Sequence, residues 1–130
     1  MRLLVGTNVF LELLLGQAKA QEARRLLERT DVHQLFVSNY ALHSIGLILL
    51  RRRQAGIFRQ LLSDVAAGMT MVSLALEELQ EVIDAAANFN LDFDDSYQYA
   101  TANKLGLTIV SFDADFDRTP GGRQTPATIS

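Results

Sequence analysis

Apolar residues along this chain follow two alternating rhythms: short unbroken runs, and longer stretches with apolar positions three and four residues apart. Leu3 to Val5 is an unbroken run, so Arg2 to Val5 predicts a strand buried on both faces. Val9, Phe10, Leu13 and Leu14 then recur at helical spacing, and strand gives way to helix at Gly6-Thr7-Asn8. Ala18 to Arg29 gathers Ala23, Leu26 and Leu27 on one side among Lys, Gln, Glu and Arg, which predicts an amphipathic surface helix. Leu35 to Ser38 reads as a second buried strand. Ser38 or Asn39 is placed to cap the helix that follows, by accepting a backbone hydrogen bond, and that helix runs to Leu50.

Gly56 and Gly68 punctuate the middle of the chain, with a helix predicted over Ile57 to Ala67 and a third strand over Met69 to Ser73. Leu74 to Phe89 reads as one helix, with Glu77, Glu78 and Glu81 near its start, where carboxylates suit the helix dipole. Asp94 or Asp95 is the expected start of a further helix through Leu105, and Gly106 stops it. Leu107 to Phe112 is the fourth strand. After the turn-forming Pro120 to Pro126, Ala127 to Ser130 is expected to add a short edge strand.

Strands that alternate with helices pair in parallel through crossover connections. The pattern therefore predicts an α/β fold, a three-layer α/β/α sandwich around a parallel sheet of four or five strands. Leu3 to Val5 is expected at its centre with Ile109 to Phe112 alongside. At 130 residues and 48% hydrophobic, the chain fits one domain spanning 1–130.

The apolar run near Ala41 to Leu50 is interrupted by His43 and Ser44 and is about half the roughly 20 residues that a membrane span requires. No cationic leader with an apolar core precedes the first strand, so the expected location is the cytoplasm, with no membrane partner. With no cysteine there is no disulfide or thiolate site, and two histidines do not make a conventional structural zinc site. Any metal is then held mainly by oxygen. A net charge of −3 argues against broad affinity for nucleic acid, although Arg51-Arg52-Arg53 with Arg59, and Arg24-Arg25, make local basic clusters.

The chemistry-bearing residues fall in three segments: Gly6-Thr7-Asn8, Asp92-Phe93-Asp94-Asp95, and Ser111-Phe112-Asp113-Ala114-Asp115-Phe116. Asp95 opens a helix and Asp113 follows a strand, and crossover geometry brings such positions to the carboxyl edge of a sheet, where doubly wound folds place their ligands. Two carboxylates held close repel each other, and a hard divalent cation between them offsets that repulsion. Read singly, Asp94 or Asp95 is explained as a helix cap, and Asp113 and Asp115 as turn formers. His43, beside leucines, reads as a core histidine, and Glu12 as a surface residue pointing away from Gly6.

Taken in order along nearly the whole chain, these segments resemble the PIN-domain family of metal-dependent ribonucleases, best known as the VapC-like toxins of toxin–antitoxin pairs. The resemblance implies a PIN fold, with Asp95 and Asp113 as catalytic metal ligands for Mg or Mn. It also implies Thr7, Asn8 and Ser111 as hydrogen-bonding support, and Asp115 at a position that supports the site. An RNA substrate, a cognate antitoxin and a homodimer follow from the same resemblance. The chain departs from the family pattern at two acidic positions. Gly6 stands where the family opens with an aspartate, and Tyr40 to Ser44 supplies no carboxylate on the helix after strand two. The metal is therefore expected to bind weakly.

Two functional classes remain open on the sequence: a PIN ribonuclease impaired by Gly6, and a PIN-like module that binds RNA or protein without catalysis. A phosphoacceptor receiver domain has the same alternation, but it needs a paired acidic turn after strand one and a lysine near the last strand, and neither is evident.

Overall fold

The computed structural model describes residues 1–129. Four strands form one parallel sheet in the order β3-β2-β1-β4, with β1 spanning Arg2–Val5, β2 Gln34–Ser38, β3 Met69–Val72 and β4 Thr108–Val110. On β1, Leu3 pairs with Leu35 of β2 and Thr108 of β4, and Val5 pairs with Val110. Leu3, Leu4 and Val5 are fully buried, as an interior strand between two helical layers must be.

The two-residue period of the strands sorts their side chains between two cores. Leu3, Val5, Leu35, Val37 and Val110 enter the larger core, with α1 (Thr7–Leu14), α2 (Ala20–Leu27), α3 (Asn39–Arg51) and α4 (Ala55–Gly68) packed on it. Leu4, Phe36 and Ile109 point the other way, toward Ala102 and Leu105 of α6 (Phe93–Leu105) and Phe116 of a 3-10 turn at Ala114–Arg118. Packing of α5 (Leu79–Phe89) against α6 completes that layer. Among the described residues no helix is long and apolar enough to cross a membrane.

Local chemistry explains most of the boundaries. Ser38 caps α3 by accepting from Ala41 N at 3.0 Å, and Gly106 ends α6 in the left-handed conformation that glycine adopts without a Cβ clash. Several expectations need correction. The amphipathic helix is shorter than Ala18 to Arg29, and β4 stops at Val110, whose carbonyl accepts from Gly6 N at 2.9 Å where β1 gives way to α1.

Leu74 to Phe89 is not one helix. It is a 3-10 turn at Leu76–Glu78 followed by α5, with Glu78 Oε1 folded back to accept from Ala75 N. The cap of α6 is neither Asp94 nor Asp95. It is Asp92, whose Oδ1 accepts from Asp95 N at 2.8 Å, so the helix starts at Phe93.

The expected edge strand at Ala127 to Ser130 is instead a short helix, α7 (Pro126–Ile129), and Ser130 lies outside the described residues. Proline at a first helical position costs no hydrogen bond, which explains the preference. The only fifth-strand character beside β4 among the described residues is an isolated parallel bridge between Val110 and Gln124.

Candidate metal centre

Three short segments converge at the carboxyl edge of the sheet. Gly6 leaves β1, Ser111 to Asp115 leaves β4, and the first turn of α6 is laid beside them. Asp95, Asp113 and Asp115 each bring one carboxylate oxygen to within 4.8 Å of the other two. Asp95 and Asp113 are partly buried, and the Asp115 side chain is half-exposed.

The loop after β4 is fixed by a small polar network. Ser111 is buried, and its Oγ accepts from Asn8 Nδ2 at 3.1 Å and from Asp113 N at 2.9 Å. Asn8 Oδ1 accepts in turn from Phe112 N at 3.1 Å. One helix residue and one buried hydroxyl thus hold the backbone on both sides of Phe112, which fixes where Asp113 leaves the chain. Asp113 Oδ1 then accepts from Asp115 N at 2.9 Å, closing the turn.

Asp115 is steadied from the other side. Arg118 donates to Asp115 Oδ1 at 3.1 Å and to the carbonyls of Phe89 and Asn90, tying the 3-10 turn to the end of α5. The spacing of three between Asp115 and Arg118 is legible in the sequence as a helical-type ion pair, a signal absent from the sequence-based expectations. Thr7 opens α1, and among the described residues its side chain makes no hydrogen bond.

The electrostatics of Asp95 are those of a carboxylate short of a counter-charge. Its Oδ2 is buried with no hydrogen-bond donor facing it. Burial first, then a hydrogen bond shared with Asp113 and the charges of Asp92, Asp113 and Asp115, push its carboxyl up to about 8. These two observations agree: two facing carboxylates present acceptor to acceptor, and they bond only when one proton lies between them. A hard cation is the other species that satisfies such a group. Three converging carboxylate oxygens, together with an Asp95 oxygen that has no donor, fit an ion that takes oxygen ligands and keeps part of its water.

Gly6 sits at the centre of this edge without a side chain. Its N donates to Val110 O at 2.9 Å, and its backbone is extended, at φ −75° and ψ 158°. Nothing in that conformation requires glycine. A Cβ built there would lie 3.2 Å from Val110 O and 3.5 Å from both Cβ and Oγ of Ser111, so an adjustment of a few tenths of an ångström admits a side chain beside the loop that carries Asp113.

The helix after β2 brings no carboxylate to the edge. His43 is exposed rather than in the core, with its ring centroid 6.5 Å from that of Tyr40. Glu12 is partly buried rather than a plain surface residue, because its Oε2 accepts from Lys19 N at 2.9 Å.

A family model described as PIN domain matches residues 3–122. Among solved structures, a toxin–antitoxin complex from Klebsiella pneumoniae superposes with a TM-score of 0.76 at 22% identity, covering 95% of this chain and 96% of that one. VapBC2 from Rickettsia felis, bound to a DNA fragment from its promoter, gives 0.77 at 12% identity, with 95% and 97% covered. The sarcin–ricin-loop-cleaving toxin VapC20 of Mycobacterium tuberculosis gives 0.75 at 19% identity, with 92% and 95% covered. At these identities the likeness is one of fold. No curated protein matched the chain.

Proposed function

From the premise that this chain belongs to the PIN domain family, we propose that it is a divalent-metal-dependent endoribonuclease. In this reading it is the toxin half of a cytoplasmic toxin–antitoxin pair, held at low activity by the glycine at position 6. The observation that carries the reading is the meeting of Asp95, Asp113 and Asp115 oxygens within 4.8 Å of one another, with Asp95 Oδ2 buried and without a donor.

Asp95 and Asp113 are the residues that would hold Mg or Mn. Bound there, the ion supplies a water of lowered pKa and neutralises charge building on a phosphodiester. The rest of the work belongs to the chain. Ser111 and Asn8 hold the Asp113 backbone in place, and Asp115, clamped by Arg118, adds negative charge on the solvent side. The toxin–antitoxin complexes among the similar structures support an antitoxin as partner, and the toxin itself is proposed to assemble as a homodimer.

Gly6 is the weak point of this machinery. Two close carboxylates and a half-exposed third hold a magnesium ion loosely, because that ion gives up water reluctantly. Replacing Gly6 with aspartate puts an anion beside Ser111 at the converging edge. The expected result is that Gly6→Asp gains manganese-dependent cleavage of RNA, and that Asp95→Asn or Asp113→Asn in that background removes the gain.

One observation favours a second reading. The first turns of α3, from Tyr40 to Ser44, offer no carboxylate, so a second acidic position is empty as well. If Gly6→Asp folds normally and cleaves nothing across a broad RNA panel, the chain is a non-catalytic PIN module that binds RNA or protein.

A further inference from the structure

Beside the carboxylates, the same helix end supports a cluster of a different kind. Phe93, the first residue of α6, is 50% exposed although it is a large apolar ring. Its centroid lies 5.3 Å from Tyr40, edge to face, and 6.2 Å from Tyr97. Tyr40 in turn lies 4.3 Å from Tyr97, which is almost wholly buried.

Tyr97 is a fixed floor. Its Oη accepts from Leu74 N at 2.8 Å and donates to Asn39 Oδ1 at 2.9 Å. Since Asn39 Oδ1 accepts that hydrogen bond, the Asn39 amide nitrogen is left as a donor, and Asn39, Tyr40 and His43 line an open recess of about 290 Å³. The cluster is thus a half-exposed aromatic surface on a rigid base, with a polar donor at its side.

Its position relates it to the metal centre. Tyr40 and Asn39 directly follow β2, two strand positions from β4 across the sheet, or about 10 Å at ordinary strand spacing. The first turn of α6 joins the two places, with Phe93 and Tyr97 against α3 and Asp95 against Asp113.

Charge then decides what this surface suits. Asp92, Asp94, Asp95, Asp113 and Asp115 make this edge anionic. Of the basic groups nearby, Lys104 pairs with Glu78, Arg118 with Asp115 and Arg123 with Asp117, while Lys19 lies on the far side of the site from Tyr40, its ammonium 5.2 Å from the centre of the Phe112 ring. On the α3 side of the carboxylates a neutral grip suits an anionic strand best, and a base stacked on an aromatic face is such a grip.

We infer that Phe93 and Tyr40 form the seat for one unpaired nucleobase of the RNA whose backbone lies over Asp95 and Asp113. This rests on the nuclease reading. Phe93 stacks on the base, Tyr40 backs Phe93, and the Asn39 amide donates to an acceptor on the base edge.

The chain contains no tryptophan, so Phe93→Trp places a single reporter in the seat. The test titrates that variant with a short single-stranded RNA and with the same oligomer made abasic, in manganese, and measures the affinity of Phe93→Ala for the intact oligomer by fluorescence anisotropy. The expected result is quenching by the RNA and not by the abasic strand. Phe93→Ala, with an unchanged far-UV spectrum, should lose about tenfold in affinity, the size of one base stacking on one ring.

RNA that binds Phe93→Ala as tightly as the parent and leaves the tryptophan unquenched overturns the seat while the nuclease reading stands. Binding of RNA by neither the parent nor Gly6→Asp overturns the nuclease reading itself, and the seat with it.

Discussion

A carboxylate in the surroundings of Asp95 is most comfortable when it carries a proton or touches a cation. Its folded pKa, pushed up to about 8, lies above the ordinary value of 3.8, so across that interval the folded protein holds a proton that the unfolded chain has released. Stability of the metal-free protein therefore falls as pH rises from about 4 through 8, and levels off above. The melting temperature of the EDTA-treated protein should follow that slope, and Asp95→Asn should flatten it. A profile that rises across this window would contradict the surroundings described here. Manganese should raise the melting temperature more at pH 8 than at pH 5, since only the ionised pair binds it.

The neighbours of Asp95 separate two roles that one residue combines. Asp92 caps α6 and also adds like charge to Asp95. Asp92→Asn keeps a capping oxygen and loses the charge, so it should lower the Asp95 pKa at little cost in stability. Asp92→Ala loses the cap as well, at about 1 kcal/mol. Comparing the two variants by NMR titration and urea unfolding tests both effects.

At the scale of elements, the strands are the most legible part of the sequence. Arg2–Val5 is legible to the residue, because the apolar run Leu3 to Val5, closed by turn residues, fits an interior strand and little else. What depends on local competition is less legible. Asp92, Asp94 and Asp95 are equally good caps in isolation, and only the packed helix picks Asp92. At Ala127 the apolar tail suggests a strand, while Pro126 seats comfortably at the start of a helix.

The site is legible for a related reason. Asp95, Asp113 and Ser111 sit at element boundaries that the pattern locates, so their convergence follows from topology. The Tyr40, Phe93 and Tyr97 cluster depends on how α3 meets α6, which no local spacing reveals. Tyr97 tests that junction: Tyr97→Phe keeps the ring and removes the hydroxyl that joins Leu74 N to Asn39. It should cost about 1 to 2 kcal/mol, because Leu74 N loses its acceptor. Hydrogen exchange at the Leu74 amide should quicken, and an unchanged rate would count against the link.

For the molecule as a whole, the sheet is both the core and the ruler that brings distant segments to one edge. β1 does most to set it, with β2 on one side and β4 on the other, and its side chains feed two separate cores. Leu4 is fully buried in the smaller of these, beneath the layer that carries Asp95. Leu4→Ala should cost about 2 to 5 kcal/mol in urea unfolding, the range for a buried leucine whose surroundings relax only in part. It should also weaken manganese binding, because α6 and the loop after β4 lean on the same cluster. A loss of stability without any change in metal affinity would show that the site is braced from elsewhere.

The proposed function turns on this edge acting as a cation site that lacks a carboxylate at position 6. Calorimetric titration of manganese into the protein, without RNA, addresses that deficit with no intervening step. Binding should be weak for the chain as it stands and clearly tighter, at one-to-one stoichiometry, for Gly6→Asp, with the gain lost in Gly6→Asp combined with Asp95→Asn. Tight stoichiometric binding by the unaltered chain, or no gain from the added aspartate in a folded variant, would contradict it.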